Sequence, residues 1–326
     1  MCASVAQAPN TPQLTANMNT DLSVVVVSYN TKEMTEACLA SLFNNVGNLR
    51  AQVILVDNNS ADGSVEMVKE KFPNVELIEN SDNRGFAVAN NQGFEISTGK
   101  FVLLLNSDTV VLGDVLEKSV GYLKNRADVG AMGCRVLNAD KTMQPTCSGY
   151  PTLGRLFLLT TGLDRVFGIK ALDQYLLRHW QRDSERDVEV ISGCYLMLRR
   201  EVLEQVGGLD ERFFFFGEET DWCLQMRRAG WALRFAPVGE IIHHGGGSVK
   251  KLNYKRDVML TDATIRLHRK NGGRFAAIVA FLILLVFNGS RAALWSLRAT
   301  WRANSRPRAE HFRNVFTSSF STWPRG

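Results

Sequence analysis

The segment Phe101-Val102-Leu103-Leu104-Leu105-Asn106-Ser107-Asp108 is the most informative part of this chain, because five consecutive apolar residues end at a polar turn that contains a carboxylate. A run of this kind indicates a strand that is buried on both faces, as in a parallel sheet covered by helices. Asp108 would then follow the carboxyl end of the strand, where open α/β sheets bind their ligands. A carboxylate held there suits a hard divalent cation that also binds a substrate's phosphates. The alternative is that Asp108 caps a helix that begins near Gly113.

Short β-rich runs alternate with helix-like segments on the amino-terminal side of this strand. The runs are residues 22–27, 53–56 and 75–78, and helical spacing of apolar residues follows each of them. This alternation predicts parallel strands joined by right-handed crossovers. We therefore expect an α/β fold with a Rossmann-like, mostly parallel central sheet and helices on both faces.

Polar side chains follow three of these strands. Because the carboxyl ends of parallel strands meet at one edge of the sheet, these side chains would line a common rim. Any one of them is more often a turn former or a helix cap, but three polar strand ends together favour a ligand site. Asp57 could accept hydrogen bonds from the edge of a pyrimidine or from a ribose hydroxyl. The rim residues are Ser28, Tyr29, Asn30, Asp57, Asn59 and Asn106.

The loop Asn83-Arg84-Gly85-Phe86 lies between the third run and the next helix. Gly85 permits close backbone approach, and Arg84 offers a guanidinium fork for a phosphate or a carboxylate. A structural helix N-terminus explains Gly85 equally well, so Arg84 is the discriminating residue. No G-x-G-x-x-G follows the first strand and no G-x-x-x-x-G-K-[ST] occurs in the sequence. Dinucleotide-binding and P-loop proteins are therefore disfavoured.

Residues 213–216 are four phenylalanines that precede three acids, Glu218, Glu219 and Asp221. Carboxylates beside so much apolar surface are candidates for a raised pKa, which a general base working near neutral pH needs. The same acids would also stabilise a helix N-terminus through the helix dipole. The two roles are compatible, since one acid can stabilise the helix while another reacts.

Two adjacent histidines, His243 and His244, end a strand-like run ahead of a glycine loop at residues 245–247. Neighbouring side chains of an extended strand point to opposite sides. At most one of the two imidazoles is therefore expected to join a metal ion bound by Asp108.

The overall composition is that of an ordinary globular protein, with 326 residues of which 45% are apolar and 22% charged. Residues 1–20 lack the basic start and the apolar stretch of a secretory signal, so we interpret them as a flexible leader and expect no export. The six cysteines contain no C-x-x-C pair. This spacing suggests neither a zinc site nor a disulfide framework, and free thiols in a reducing cytoplasm fit best.

The carboxyl-terminal part differs from the rest in charge. Residues 250–326 contain 15 Lys and Arg and 3 acids, a net charge of +12, whereas residues 1–249 carry −7. An uncharged apolar run at 275–287 is interrupted by polar residues at 288–291, and its thirteen residues reach about 20 Å at about 1.5 Å each, short of a roughly 30 Å hydrocarbon core. Arginines and two tryptophans flank it, so we predict a helix lying on an anionic membrane surface. A helix of the soluble core and a true span are the alternatives, and no motif of an RNA-binding module occurs.

Five motifs in this order resemble the family 2 glycosyltransferases with the GT-A fold, particularly the bacterial rhamnosyltransferase-like branch. The resemblance covers residues 22–248. It implies an enzyme that transfers rhamnose or a similar hexose from a nucleotide-diphosphate sugar to a hydroxyl group. The transfer would invert the anomeric centre and would be assisted by Mg²⁺ or Mn²⁺. The motifs are Val27-Ser28-Tyr29-Asn30, Val56-Asp57-Asn58-Asn59-Ser60, Asn83-Arg84-Gly85-Phe86, Leu105-Asn106-Ser107-Asp108, and Gly217-Glu218-Glu219-Thr220-Asp221 with His243-His244.

By position, the resemblance makes Asp108 the metal ligand, with Asn106 in place of the first acid of the family's D-x-D element. His243 or His244 would approach the metal or the diphosphate. Asp57 would contact the base of the nucleotide, and Arg84 would sit near the donor.

The resemblance also implies the identity of the general base. Glu219 stands where the family usually has an aspartate that removes the acceptor's proton. Because Glu is one methylene longer, Glu218 or Asp221 could serve instead.

We therefore expect a GT-A domain with a nucleotide-sugar-binding half at residues 21–110 and an acceptor and catalytic half at 111–250. From its charge and its apolar run, we expect a membrane-associating helical tail at 251–326. The tail suggests a glycan or polyprenyl-diphosphate-linked acceptor in cell-envelope polysaccharide synthesis, with the protein peripheral on the cytoplasmic face of the plasma membrane and no nucleic-acid partner. One alternative is a catalytically inactive nucleotide-sugar or glycan-binding module of the same fold. Another is a sugar nucleotidyltransferase, which would need a glycine-rich loop that residues 28–32 lack.

Overall fold

A computed structural model describes residues 20–163, 175–177, 180–245 and 253–324. The leader predicted at residues 1–20 lies outside these ranges except for Thr20. Of the predicted glycine loop, residues 246 and 247 also lie outside them.

The amino-terminal half alternates strands and helices as the sequence pattern predicts. Its elements are β1 (Leu22–Ser28), α1 (Lys32–Asn44), β2 (Ala51–Asp57), α2 (Ser64–Lys71), β3 (Glu76–Glu79), α3 (Phe86–Ile96) and β4 (Phe101–Asn106). Strand β1 pairs in parallel with both β2 and β4, and β2 pairs in parallel with β3. The carboxyl ends of these four strands therefore lie at one edge of the sheet.

The second half extends the same sheet with strands of both directions. Its elements are β5 (Thr109–Val111), α4 (Val115–Lys124), β6 (Val129–Leu137), α5 (Leu153–Thr161), β7 (Arg186–Asp187), β8 (Tyr195–Arg199), α6 (Arg200–Val206), α7 (Glu218–Arg228) and β9 (Ala232–His243). The strand order is β3-β2-β1-β4-β8-β6-β9-β5, with β7 paired to β9. The predicted α/β fold is confirmed, and the sheet is mixed because β8 runs antiparallel to both β4 and β6.

The reversed direction of β8 positions the site. Since β8 is antiparallel to β4, the residues just before β8 lie beside the carboxyl end of β4. The Asn106 N–H donates to the Cys194 carbonyl oxygen at 3.3 Å. The segment that leads into β8 is thereby held next to Asn106 and Asp108.

Both faces of β4 are buried, as its apolar run predicts. Leu103 and Leu105 pack into the core on one side of the sheet, and Val102 and Leu104 pack into the core on the other. At about 1.5–3 kcal/mol for each fully buried large aliphatic side chain, this strand is anchored firmly against displacement. Asp108 does not cap a helix near Gly113, because β5 intervenes and α4 begins only at Val115.

The carboxyl-terminal tail is helical and packs against the sheet domain. It contains α8 (Tyr254–Trp301) and α9 (Arg306–Ser319), with short 3-10 turns at Ala303–Ser305 and Phe320–Thr322. The backbone of α8 leaves the helical conformation at Gly273, where φ is 76° and ψ is −175°. Residues 288–291, which interrupt the apolar run in the sequence, continue the helix. Gly289 is needed there for close packing, since a Cβ atom would lie 3.0 Å from the Phe316 ring of α9.

Candidate active site

A cavity of about 360 Å³ opens at the carboxyl ends of β1, β2 and β4. Three of its walls come from the loops that follow these strands and from the loop before α3. The fourth wall is contributed by the phenylalanine run and by the tail helix α8. The lining includes Tyr29, Asn58, Gly85, Asn106, Asp108, Phe214, Phe215 and Met259.

Asp108 and His243 meet at one end of this cavity. The His243 Nε2 atom lies 3.2 Å from Asp108 Oδ1, and the His243 Nδ1 atom lies 2.7 Å from Gln144 Oε1. If Nδ1 donates to the Gln144 oxygen in the neutral imidazole, Nε2 has its lone pair free for a ligand. The Asn106 Nδ2 atom lies 3.4 Å from Nε2. An imidazole nitrogen and a carboxylate oxygen thus face one another.

This pair fits two of the ligands of a hard divalent cation. Octahedral ligands at about 2.0–2.1 Å from the ion lie about 3 Å from each other, which matches the separation of His243 Nε2 and Asp108 Oδ1. The described residues contain no group of three or more His, Cys, Asp or Glu side chains placed to hold a metal. Mg²⁺ usually takes its remaining ligands from substrate phosphates and water. His244 is exposed, and only its backbone N–H reaches Asp108, at 2.9 Å from the carbonyl oxygen.

Asp57 presents an unused acceptor at the end of β2. Its Oδ1 accepts a hydrogen bond from the Ser60 N–H at 2.8 Å, while its buried Oδ2 has no partner among the described residues. Leaving a buried acceptor unsatisfied costs about 1–3 kcal/mol, and more for a charged group. Such a cost is offset when a ligand supplies the missing donor. Asn58 lies beside it, buried and bonded to the Gly85 carbonyl at 3.1 Å.

Other predicted donor-binding residues hold the loops together. Asn30 and Asn59 are exposed and adopt left-handed backbone with φ of 53° and 66°, so both act as turn formers. Asn30 Oδ1 accepts from the Ala61 N–H at 2.8 Å, which ties the loop after β1 to the loop after β2. Ser28 is buried, and its hydroxyl bonds Thr35 at 3.0 Å. Arg84 is exposed at the side of the cavity.

Gly85 joins the two halves of the site. Its φ is 84°, and a Cβ atom there would lie 2.6 Å from the Phe214 carbonyl oxygen. The same oxygen accepts a hydrogen bond from the Phe86 N–H at 2.9 Å. The close approach predicted at Gly85 is therefore made to the phenylalanine run, which becomes a wall of the cavity.

Glu218 and Glu219 begin α7 directly behind this run. Burial raises the pKa of both carboxyl groups, and repulsion from Glu219 raises the pKa of Glu218 further. The Oε2 atom of each is buried without a hydrogen-bond partner among the described residues. The sequence-based expectation of acids with raised pKa values holds for these two residues.

Glu219 lies close to the segment that leads into β8, and it is not among the residues that line the cavity. Its Cγ would lie 3.8 Å from a Cβ atom at Gly193, in van der Waals contact. The next residue, Cys194, bonds Asn106 through its backbone. Burial, together with the charges of Asp108 and Glu219, raises the pKa of the Cys194 thiol to about 12. Both carboxylates thus act on one thiol, and they flank the segment that leads into β8.

Asp221 has a different environment. It is 2% exposed, and its oxygens accept hydrogen bonds from Lys270 Nζ at 2.6 Å and Asn271 Nδ2 at 2.9 Å. A carboxylate that is already bonded to an ammonium and an amide is not available to take a proton from an acceptor. The structure therefore corrects the suggestion that Asp221 could be the base, and it shows Asp221 anchoring α8 to α7.

Comparisons with known proteins show which proteins this chain is similar to. The family model described as Glycosyl transferase family 2 matches residues 23–207. A curated relative from Mycobacterium tuberculosis, N-acetylglucosaminyl-diphospho-decaprenol L-rhamnosyltransferase, is 28% identical over 68% of this chain and 76% of its own length. The hexosyltransferase Agl10 of low-salt glycan biosynthesis in Haloferax volcanii is 23% identical over 72% of this chain and 71% of its own.

Among solved structures, the chain is similar in fold to the mannosyltransferase PcManGT from Pyrobaculum calidifontis, solved in complex with GDP-Man and Mn²⁺. The TM-score is 0.54 with 16% sequence identity, covering 95% of this chain and 91% of that one. A likeness at this level of identity supports the α/β fold of the chain described above.

Proposed function

The chain belongs to glycosyl transferase family 2, and we propose that it transfers rhamnose or a similar hexose from a nucleotide-diphosphate sugar, with inversion, to a hydroxyl of a lipid-linked glycan. The observation that carries this proposal is the placement of Asp108 and Glu219 at one rim. Asp108 lies at the end of β4, Glu219 lies at the start of α7, and the Gly193–Cys194 backbone lies between them.

The nucleotide end of the donor would lie against the ends of β1 and β2. Asp57 Oδ2 would accept a hydrogen bond from the base or the ribose, and Asn58 and Tyr29 would line the same wall. The diphosphate would lie toward Asp108 and His243, and exposed Arg84 would be near enough to the rim to attract it.

Asp108 and His243 would hold a Mg²⁺ or Mn²⁺ ion. When bound, such an ion stabilises the negative charge that develops on the leaving diphosphate. Gln144 would keep His243 in the tautomer that leaves Nε2 free to bind, as outer partners of metal ligands do. Asn106, in place of a second carboxylate, would supply a neutral amide beside this pair.

Glu219 would act as the general base. Burial raises its pKa above the ordinary value, which makes it a stronger base than an exposed glutamate. It would take the proton of the acceptor hydroxyl as that oxygen attacks the anomeric carbon, on the face opposite the leaving diphosphate. A single displacement of this kind inverts the anomeric centre and needs no covalent intermediate with the enzyme.

The acceptor class follows from the relatives and from the tail. The Mycobacterium tuberculosis relative is named for a polyprenyl-diphosphate-linked substrate, and we assign the same chemical class to this chain. Its place would be the cytoplasmic face of the plasma membrane, in the synthesis of a cell-envelope polysaccharide.

A nucleoside-diphosphate release assay tests this assignment. Purified protein with a polyprenyl-diphosphate-linked sugar is expected to release nucleoside diphosphate from one member of a panel of uridine-, thymidine- and guanosine-diphosphate sugars in the presence of Mg²⁺ or Mn²⁺. Release of pyrophosphate would instead indicate a nucleotidyltransferase. Donor binding without any turnover would indicate an inactive binding module.

The tail offers a face for an anionic membrane. An 18-residue window of α8 has a mean hydropathy of 2.0, yet only 33% of it is buried. Because α8 continues through residue 301, the helix is not limited to the thirteen residues that were too short to span a membrane. However, Ala277 and Phe281 on its inner face pack against Leu156 of α5, which places the helix on the domain surface. The outer face is an apolar stripe at helical spacing, consisting of Phe275, Leu282, Val286, Leu297 and Trp301.

Introducing acidic residues into this apolar stripe is expected to release the protein from membranes. The double variant Val286→Asp/Leu297→Asp replaces two residues that are 71% and 63% exposed, so the fold should persist. We expect it to lose sedimentation with vesicles that contain anionic lipid, because buried apolar area and arginine contacts both support binding. Ile96→Asp, at an exposed apolar position of α3, is the matched control. Sedimentation equal to that of the unchanged protein would contradict the membrane assignment.

A further inference from the structure

A second cavity, of about 790 Å³, lies between the first segment of α8 and the carboxyl terminus of the described chain. Ser321, Thr322 and Trp323 form one side of it, and Asp262 is the one acidic side chain among its described lining residues. The rest of the lining consists of the apolar residues Phe213, Ile265 and Pro324 and of four cationic side chains, namely Arg212, Arg266, Arg269 and Lys270.

We call the 790 Å³ cavity the basic cavity, and the 360 Å³ cavity at the ends of β1, β2 and β4 the donor cavity. A third cavity, of about 330 Å³, lies between them. It shares Phe214, Phe215 and Met259 with the donor cavity. It shares Arg212 and Arg266 with the basic cavity. The three cavities therefore form one groove, with a carboxylate and an imidazole at one end, aromatic walls in the middle and arginines at the other end.

The length of the middle part of the groove can be estimated from the residues of α8 that line it. Met259 and Arg266 are seven residues apart in one helical segment, which corresponds to about 10 Å at about 1.5 Å per residue. Phe214 and Phe215 cover this interval and are 51% and 42% exposed. Exposed aromatic faces of this kind pack against the apolar face of a sugar ring, and the interval leaves room for one sugar residue with its linkage.

The cations of the basic cavity are held in place by neighbouring carboxylates. Lys270 Nζ lies 2.6 Å from both Asp210 Oδ2 and Asp221 Oδ2. Arg212 pairs with Asp210, and Arg266 pairs with Asp262. Among the described lining residues, the four cations are accompanied by one carboxylate, that of Asp262. Side chains that are ordered in advance lose less entropy when a ligand binds.

We propose that the basic cavity binds the diphosphate of the acceptor, while the acceptor's sugar lies against Phe214 and Phe215. This inference rests on the proposed function, because the sugar must reach Glu219. Arginine forks match phosphate oxygens in pairs, and the donor's diphosphate has its own place near Asp108. The lipid chain would leave past Trp323, whose ring packs edge-on against Phe281 of α8 with centroids 5.0 Å apart.

The residues that line the basic cavity lie outside the region that matches the family model. Every one of its residues follows residue 207, where the match to the family model ends. Asp221, which the sequence suggested as a catalytic acid, has a positioning role here through Lys270.

Binding to the full-length protein can be measured by calorimetry with farnesyl diphosphate as the probe, in the absence of divalent cations. We expect Arg212→Gln/Arg266→Gln to weaken binding by about tenfold or more, since a hydrogen bond to a charged group contributes about 1.5–3 kcal/mol. Arg302→Gln/Arg313→Gln removes the same charge from exposed sites outside the cavity and should leave the affinity unchanged. Saturating nucleoside diphosphate should not displace the probe.

Three results of this experiment would overturn the proposal. They are equal losses in the two double variants, displacement by nucleoside diphosphate, and inorganic pyrophosphate binding as tightly as farnesyl diphosphate. The last result would identify a site for the free anion instead of the lipid.

A kinetic comparison separates this inference from the proposed function. With a diphosphate-linked sugar as acceptor, Arg212→Gln/Arg266→Gln should raise the acceptor KM by about tenfold or more without changing the donor KM. With an alkyl glycoside of the same sugar, which lacks phosphate, KM should not change. An equal rise for both acceptors would overturn the phosphate assignment. Absence of turnover with any donor would contradict the proposed function, while the calorimetric result would still decide the binding site.

Discussion

Glu219→Gln is expected to lower turnover by a factor on the order of 10²–10⁴, the usual contribution of a positioned general base, while donor affinity is retained. Glutamine keeps the shape of the side chain next to Gly193 but cannot accept a proton. The measurement is kcat for nucleoside-diphosphate release together with a donor titration. A variant with unchanged kcat would remove Glu219 from the reaction.

The pH dependence of the rate provides a second test of Glu219 as the general base. A base reacts in its deprotonated form, and burial raises the pKa of Glu219 above its ordinary value of 4.5. The rate of the unchanged enzyme should therefore rise with pH through a range above that value. The residual rate of Glu219→Gln should lack this rise. A rise that persists in the variant would assign the titration to another group.

Glu218→Gln discriminates between the two neighbouring acids. Glu218 is 3% exposed, and we expect its replacement to reduce turnover far less than that of Glu219. A loss of turnover larger than that of Glu219→Gln would make Glu218 the base.

The same variant has an expected effect on stability. Because the folded-state pKa of Glu218 is raised, its stabilising contribution is complete below the unfolded pKa and is lost as pH rises through the folded pKa. Glu218→Gln should therefore have a higher Tm than the unchanged protein at pH 8, with the difference vanishing below about pH 4.5.

The local parts of the fold and site could be predicted from sequence because their signals are local. An apolar run of five residues specifies a strand buried on both sides, and β4 has both faces in the core. A polar residue at the end of a parallel strand necessarily lies at the rim, which is why Asp57 and Asp108 were found. Asn30 and Asn59 adopt a left-handed backbone in turns, to which an amide side chain is well suited, and their contact with a ligand stays a prediction.

The remaining features depend on contacts between distant parts of the chain. Met259 lines the donor cavity only because α8 packs back against the phenylalanine run. Asp221 is bonded to Lys270, 49 residues later, and no spacing rule connects two such positions. The apparent break at residues 288–291 is also explained by tertiary packing. Asn288 is buried and donates to Ser319 of α9 at 3.0 Å, so polar residues that resemble a loop continue a helix.

Asp108→Ala is expected to abolish the part of donor affinity that depends on Mg²⁺ or Mn²⁺. Outer partners of metal ligands contribute about 10–100-fold to metal affinity, so removal of a direct ligand should cost at least about 100-fold. Calorimetric titration of the nucleotide-sugar donor, with and without the ion, measures this loss. Asp114→Asn, at an exposed aspartate six residues later, is the matched control. Unchanged donor affinity in the presence of Mg²⁺ would remove Asp108 from the metal site.

A graded series around Asp108 tests whether the three side chains act as one unit. Gln144→Leu leaves Asp108 and His243 in place but removes the acceptor that orients the imidazole through Nδ1. It should therefore weaken ion-dependent donor binding by about 10–100-fold, less than Asp108→Ala. Adding Gln144→Leu to Asp108→Ala should have little further effect, because the orientation of His243 matters only while Asp108 is there to share the ion. Additive losses in the double variant would show that Gln144 acts elsewhere, since independent sites add and coupled sites do not.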